Sequence, residues 1–259
     1  MRSLLLAAFL CVPLAGLAAC LPLATQLAPW PTDTPPPPTE TPTPTIVWFP
    51  PTATITALPT ATLNLTPTLD ISPKYGALVF SDDFSDPSQW GVGKSGAGSV
   101  ALVKNELTLA VTSPPGYLYS LRKDTWLGDF YLEITASPSI CRGVDEYGLL
   151  VRVASTQDFY RFGLLCDGQA RLDRLLGGEA SSLQAPRMSG AVPRGAPSSS
   201  RMAVWAAGKQ MRFYANGQYL FTVHDSSLLA GGMGVFARAS GEDSVTVNFS
   251  ELSVYEASK

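Results

Sequence analysis

The sequence predicts an all-β domain, a two-sheet antiparallel jelly-roll sandwich, standing behind an export segment and a disordered Thr/Pro-rich linker. Three observations predict it. Hydrophobic residues make up 46% of the 259 residues and charged residues only 15%, beside 22 glycines and 22 prolines, which suits turn-rich strands better than helices with charged wet faces. From about residue 77 onward, short β-branched and aromatic segments recur at regular spacing, each bounded by a turn signal. No segment there carries a convincing helical period.

In chain order, the N-terminus comes first. Arg2 supplies a positive start, and the apolar run from Leu4 to Leu17 has the length of a signal-peptide core rather than a membrane span. The next residues, Leu17-Ala18-Ala19-Cys20, resemble the lipobox of bacterial lipoproteins. That resemblance implies that residues 1–19 are removed and that Cys20 becomes a lipidated N-terminus. The protein would then sit at the cell membrane, facing the extracytoplasmic side, with two or more acyl chains giving the stable hold that one chain cannot. An ordinary signal peptide and an uncleaved anchor are the competing readings.

Residues 20–76 read as a tether. Between Pro29 and Pro67 lie 12 of the 22 prolines, and the sparse apolar residues Trp48, Phe49, Ile55 and Leu63 follow neither a helical nor a strand period. Such a segment cannot bury enough surface to offset the entropy of ordering. A polyproline-II-like spacer of some fifty residues at about 3.1 Å each would reach on the order of 150 Å.

The folded domain, residues 77–257, opens at LVFSDDFSD. About twelve strands follow. The first group is Val100 to Val103, Glu106 to Val111, Tyr117 to Arg122, Phe130 to Ala136, Tyr147 to Ala154, Phe159 to Cys166 and Ala170 to Leu176. The second is Met202 to Ala206, Gln210 to Tyr214, Tyr219 to His224, Met233 to Ala239 and Val245 to Tyr255. Asn216-Gly217 is a hairpin signal, because a type I′ turn needs two residues tolerant of positive φ; Lys104-Asn105 and Ser155 to Gln157 read as further hairpin loops. GLLVRV, DFYRFGLL and RMAVW are apolar on both faces, as in central strands that also line a curved front face.

The runs DEYGLLVRVASTQDFYRFGLLCDGQARLDRL and RMAVWAAGKQMRFYANGQYLFTVHDSSLLAGGMGVFARASGEDSVTVNFSELSVY resemble the concanavalin A-like lectin/glucanase superfamily, nearest its laminin-G-like and 3-keto-disaccharide-hydrolase-like modules. The features are Phe80 to Phe84, the strand Tyr147 to Arg152, the Asn216-Gly217 hairpin, and Gly232 to Phe236 before the closing strand. The resemblance covers residues 78 to 255. It implies the jelly roll, and possible ligand chemistry on a curved sheet face.

With Cys11 removed and Cys20 acylated, Cys141 and Cys166 remain as an even pair in an oxidising place, predicting a disulfide against the alternative of two buried thiols. The formal charge of −3 and pI of 5.2 provide no basic field for nucleic acid. A single histidine, His224, and four dispersed cysteines exclude a zinc-type cluster.

A glucanase would need paired carboxylates projecting from one strand about 5 Å apart, and none is present: Asp145 and Glu146 are neighbours and point to opposite faces. His224-Asp225-Ser226 cannot form a triad from adjacent positions. The run GVGKSGAGS lacks the first glycine of a phosphate loop, Ser88 standing there, and reads as a loop. In related sandwiches acids of the opening strand hold calcium with backbone carbonyls and an acid of the closing strand, which points to Asp82 and Asp83 with Asp243 or Glu251 as a structural calcium set, the duller reading being acids that cap a turn or face water; no other cofactor is indicated. Sugar binding in such a sandwich calls for an aromatic plate and polar forks. The candidates are Trp126 and Trp205 as the plate, a strand tryptophan being more often core, and Arg152, placed opposite Tyr160 at the centre of an open and wet front face, with Arg161, Arg171, Asp173 and Arg174 on the next strands. The expected function is non-catalytic binding of a glycan or other extracellular ligand. The alternatives are a protein-interaction or cell-wall structural module, and an enzyme of the 3-keto-disaccharide-hydrolase-like kind.

Overall fold

Alternating apolar and polar residues, punctuated by glycine and asparagine turns, form fifteen strands over residues 75–257 of the computed structural model, which describes residues 72–258. The signal segment, Cys20 and the tether as far as residue 71 lie outside the described residues. In chain order the strands are β1 (Tyr75–Asp82), β2 (Gly93–Ser95), β3 (Gly98–Val103), β4 (Glu106–Val111), β5 (Gly116–Leu121), β6 (Phe130–Ile140), β7 (Glu146–Ser155) and β8 (Asp158–Leu165). Then come β9 (Gln169–Leu176), β10 (Glu179–Met188), β11 (Ser200–Ala207), β12 (Gln210–Ala215), β13 (Gln218–His224), β14 (Gly232–Ala239) and β15 (Val245–Ala257). The only helical turn described is a short 3₁₀ turn at Pro87–Gln89, capped by Asp86.

These strands make two antiparallel sheets. One has nine strands in the order β13-β12-β11-β6-β15-β4-β3-β2, with β1 also pairing to β15; the other runs β10-β9-β8-β7-β14-β5. Their facing sides hold one apolar core, including Leu132, Val204, Phe213, Phe249 and Val254 from the larger sheet and Tyr147, Leu149, Phe162, Leu172 and Val235 from the smaller. Two smaller apolar clusters lie apart from that core, one on each outer face.

The hairpins follow the turn chemistry. Asn216 and Gly217 have φ of 50° and 73°, and Lys104 and Asn105 have 52° and 60°, the left-handed pair a type I′ turn requires. The β7–β8 turn is one residue tighter than expected, since Ser155 pairs with Asp158 and only Thr156 and Gln157 turn. Cys141 and Cys166 are disulfide-bonded with Cα atoms 5.7 Å apart, and the Cys166 amide donates to the Asp145 carbonyl at 2.9 Å. The bridge thus ties the loop after β6 to the end of β8.

Three strands exceed the dozen spelled out: the opening strand expected at LVFSDD, and two that lack the usual signal. β1 begins at Tyr75, two residues before the expected domain start, and most of its residues are exposed. β2 is three residues of the Gly-rich run, paired with β3. β10, EASSLQAPRM, is an edge strand whose residues are mostly exposed, so no apolar alternation marks it.

Candidate ligand-binding face

On β7 the residues before the bulge alternate strictly: Tyr147, Leu149 and Val151 enter the core, while Glu146 and Leu150 look outward. Outward on the neighbouring strands are Arg161 and Gly163 of β8, Arg171 and Asp173 of β9, Phe236 and Arg238 of β14, and Tyr117 and Tyr119 of β5. The pairing registers line these up, with Gly148 opposite Gly163, Gly163 opposite Arg171, Arg161 opposite Asp173, and Arg238 opposite both Glu146 and Tyr117.

The facing glycines leave the middle of the sheet without side chains. A Cβ at Gly148 would collide with the Phe162 carbonyl, and one at Gly163 would take the space that the Glu146 side chain fills, so that side chain would have to move. The Glu146 carboxyl therefore lies in the space above Gly163, where it is only 2% exposed. Burial pushes its pKa up, against the opposing pull of the Arg161 and Arg171 guanidinium groups. Its Oε1 has no hydrogen-bond partner among the described residues, and its Oε2 lies 3.9 Å from Arg238 Nη1.

Asp173 is clamped from both sides. Arg161 Nη2 donates to one carboxylate oxygen at 2.7 Å and Arg171 Nη2 to the other at 2.6 Å, while the buried Nε of each arginine has no partner among the described residues. Beside this cluster the Tyr117 ring lies 5.8 Å from Phe236 and 6.0 Å from Tyr119, and Arg161 sits 5.9 Å from the centre of the Phe236 ring. Burial pushes the Tyr117 phenol pKa well up. Tyr117 and Tyr119 also wall a groove of about 300 Å³ that Lys94 helps to line, and an apolar hollow of about 40 Å³ with Leu150 and Phe159.

The structure thus brings Arg161, Arg171 and Asp173 together and adds Glu146, Tyr117 and Arg238, which the sequence did not single out. It does not bring Arg152 and Tyr160 to this face. Tyr160 pairs with Val151, not Arg152, and its ring lies in the core while its hydroxyl donates to Asp225 at 2.7 Å and accepts from the Leu228 amide at 3.2 Å. Burial, then that bond to Asp225, pushes the phenol pKa up to about 12. Arg152 has φ of 50° and falls where the β7–β8 and β7–β14 registers slip. Leu150 and Val153, three apart, share the outer cluster, so Arg152 is the inserted residue of a bulge. Far from being wet, it is fully buried, with Nη1 donating to the Leu228 carbonyl at 3.1 Å and Nε and Nη2 unpartnered among the described residues. Trp126 is 68% exposed in the β5–β6 loop, not on a strand of the face.

The expected calcium ligands do not fit a metal centre. Asp82 is buried and accepts from the Phe84 amide at 2.8 Å, Trp90 Nε1 at 3.1 Å and Arg122 Nε at 2.9 Å, so a cation of the protein already holds it. Asp83 accepts from the Ser85 amide in an Asx turn, and Asp243 lies 3.4 Å from Arg142. Among the described residues no group of three or more His, Cys, Asp or Glu could hold a metal ion.

No family model matches this chain, and no curated protein matches it. Solved structures do. A carbohydrate binding module, CBM66, from Bacillus subtilis is 15% identical with a TM-score of 0.50, covering 65% of this chain and 96% of its own. The catalytic domain of an endo-1,3-beta-glucanase (laminarinase) from Thermotoga petrophila is 11% identical at 0.51, covering 72% and 100%. A Bacillus subtilis protein of unknown function with a galectin-like fold is 14% identical at 0.50, covering 72% and 99%. These likenesses show the fold: the domain is a concanavalin A-like jelly roll.

Proposed function

We propose that this chain is a lipid-anchored extracytoplasmic surface protein whose β-sandwich binds a glycan without catalysing its cleavage. The observation that carries the reading is the outer face of the six-stranded sheet. There Tyr119 stands exposed on the edge strand β5 of the sheet whose middle carries the arginine and carboxylate cluster, which together supply the aromatic surface and polar forks that sugar recognition uses. A carbohydrate binding module and a glucanase domain among the similar folds fit that reading. The absence of cleavage is argued from the same residues. Asp173 has both oxygens bound to arginines and Glu146 is covered, so neither offers a free carboxylate to a glycosidic carbon.

The anchor rests on the Leu17-Ala18-Ala19-Cys20 motif. Cys20→Ser is expected to shift the protein from the detergent phase of cells to the aqueous phase or the medium. Unchanged partitioning, or a mature N-terminal peptide without acyl mass, would end that part of the proposal. For the binding face, the full chain should retain oligosaccharides on a glycan array, and Tyr119→Ala with Arg171→Gln should lose them. Retention by that double variant would move the site elsewhere, and turnover of a 3-keto-glycoside would replace binding by catalysis.

A further inference from the structure

The acceptors on this face are already occupied or covered, whereas Arg238 and the outer part of Arg171 remain in reach. Asp173 gives one oxygen each to Arg161 and Arg171, and the Glu146 and Asp173 side chains are only 2% exposed. A ligand arriving at the face meets guanidinium groups instead. Among the described residues Arg238 is 41% exposed with no partner nearer than 3.9 Å and Arg171 is 24% exposed, while Arg161, 12% exposed, lies beneath with its Nε buried. Two reachable guanidinium groups thus accompany two covered carboxylates, and Lys94 adds a third cation in the groove beyond Tyr117 and Tyr119.

A neutral sugar presents hydroxyls that both donate and accept, so a face built for it offers carboxylates alongside donors. This face offers donors in excess, and partly desolvated donors select a partner that brings acceptors and negative charge. Guanidinium groups favour a planar oxyanion that meets two N–H groups at once. Building on the glycan-binding reading above, we propose that the preferred ligand is a saccharide carrying a carboxylate. The carboxylate lies at Arg238, which stands across from Tyr117 on the strand next to β5, and the sugar ring against Tyr119.

Titration of the full chain in detergent with oligogalacturonate, its methyl ester, its sulfated neutral counterpart and a neutral gluco-oligosaccharide tests this. The acid is expected to bind at least tenfold tighter than its ester, with an affinity that falls as salt is raised. Arg238→Gln, at a half-exposed site, should remove most of that preference, the acid losing at least tenfold more affinity than the ester. Equal binding of acid and ester overturns the inference but leaves the glycan reading standing. Tighter binding of the sulfated probe overturns the choice of carboxylate. Failure of all four to bind fails the glycan reading itself.

Discussion

The two outer faces of the sandwich carry similar residue types and end in opposite states. On the nine-stranded sheet, Tyr131, Trp205 and Tyr214 form an apolar cluster that the chain itself covers. The Tyr75 ring stacks on Tyr131 at 4.7 Å and lies 4.8 Å from Tyr255, and the Trp205 indole donates to the Lys74 carbonyl at 3.1 Å. Its charges are answered too, since Arg201 reaches Glu133 at 2.7 Å and the Glu251 carbonyl at 2.8 Å, while Arg212 lies 4.5 Å over the Trp205 ring. Among the described residues the six-stranded sheet leaves Glu146 Oε1 and the Nε atoms of Arg161 and Arg171 without partners. Aromatic content does not separate the two faces. Hydrogen-bond satisfaction does: a face that closes its own bonds is structural, and one that leaves buried groups open is set for a ligand or water.

The largest effect that would sharpen this contrast lies at the glycine pair. Gly163→Ala forces a Cβ into the Glu146 carboxyl and should cost about 2–3 kcal/mol, read as a fall in the urea midpoint. Glu146→Ala in the same chain should recover about 1–2 kcal/mol of that loss, because the two positions share one space. Gly148→Ala meets the Phe162 carbonyl instead, and Glu146→Ala should not rescue it. Equal rescue at both sites would show that Glu146 does not fill the hollow as described.

A smaller effect tests the other face. Tyr75→Ala removes the ring stacked on Tyr131 and should cost about 1–2 kcal/mol, with glycan retention unchanged. Loss of retention without loss of stability would reverse the assignment of the two faces.

How much of this was legible follows from what each residue reports. Asn216-Gly217 and Lys104-Asn105 announce their turns because few residue types accept positive φ, and those turns fix the registers around them. Cys141 and Cys166 were readable as a pair. Arg161, Arg171 and Asp173 were found because charges that interrupt apolar strands must face something polar. Arg152 obeys that same rule in sequence and breaks it in the fold, since a one-residue bulge turns it inward and no pattern in GLLVRV, apolar on both sides, marks the slip. Glu146 went unread because its place depends on a glycine two strand positions away on β8, which is a fact of register and not of composition.

The smallest expected effect is a slope with pH, and it belongs to the six-stranded face alone. Burial raises the Glu146 pKa above the ordinary glutamate value of 4.5, and the nearby Arg161 and Arg171 only partly oppose it. The native carboxyl therefore holds its proton more tightly than the unfolded chain does. Its contribution to stability is fully present below the ordinary value and is lost as pH climbs through the raised one. Glu146→Gln keeps the shape and carries no titrating proton. The urea midpoint of the parent, relative to that variant, should decline from about pH 4.5 upward and then level off. Occupied by an anionic saccharide, the same face should favour the protonated carboxyl further, because neutralising Glu146 removes a negative charge from beside the ligand, and binding should weaken over the same rise in pH. A parent and variant that run parallel from pH 4 to pH 8, in stability and in binding alike, would show that Glu146 titrates as it does in water and that the face is wetter than its burial implies.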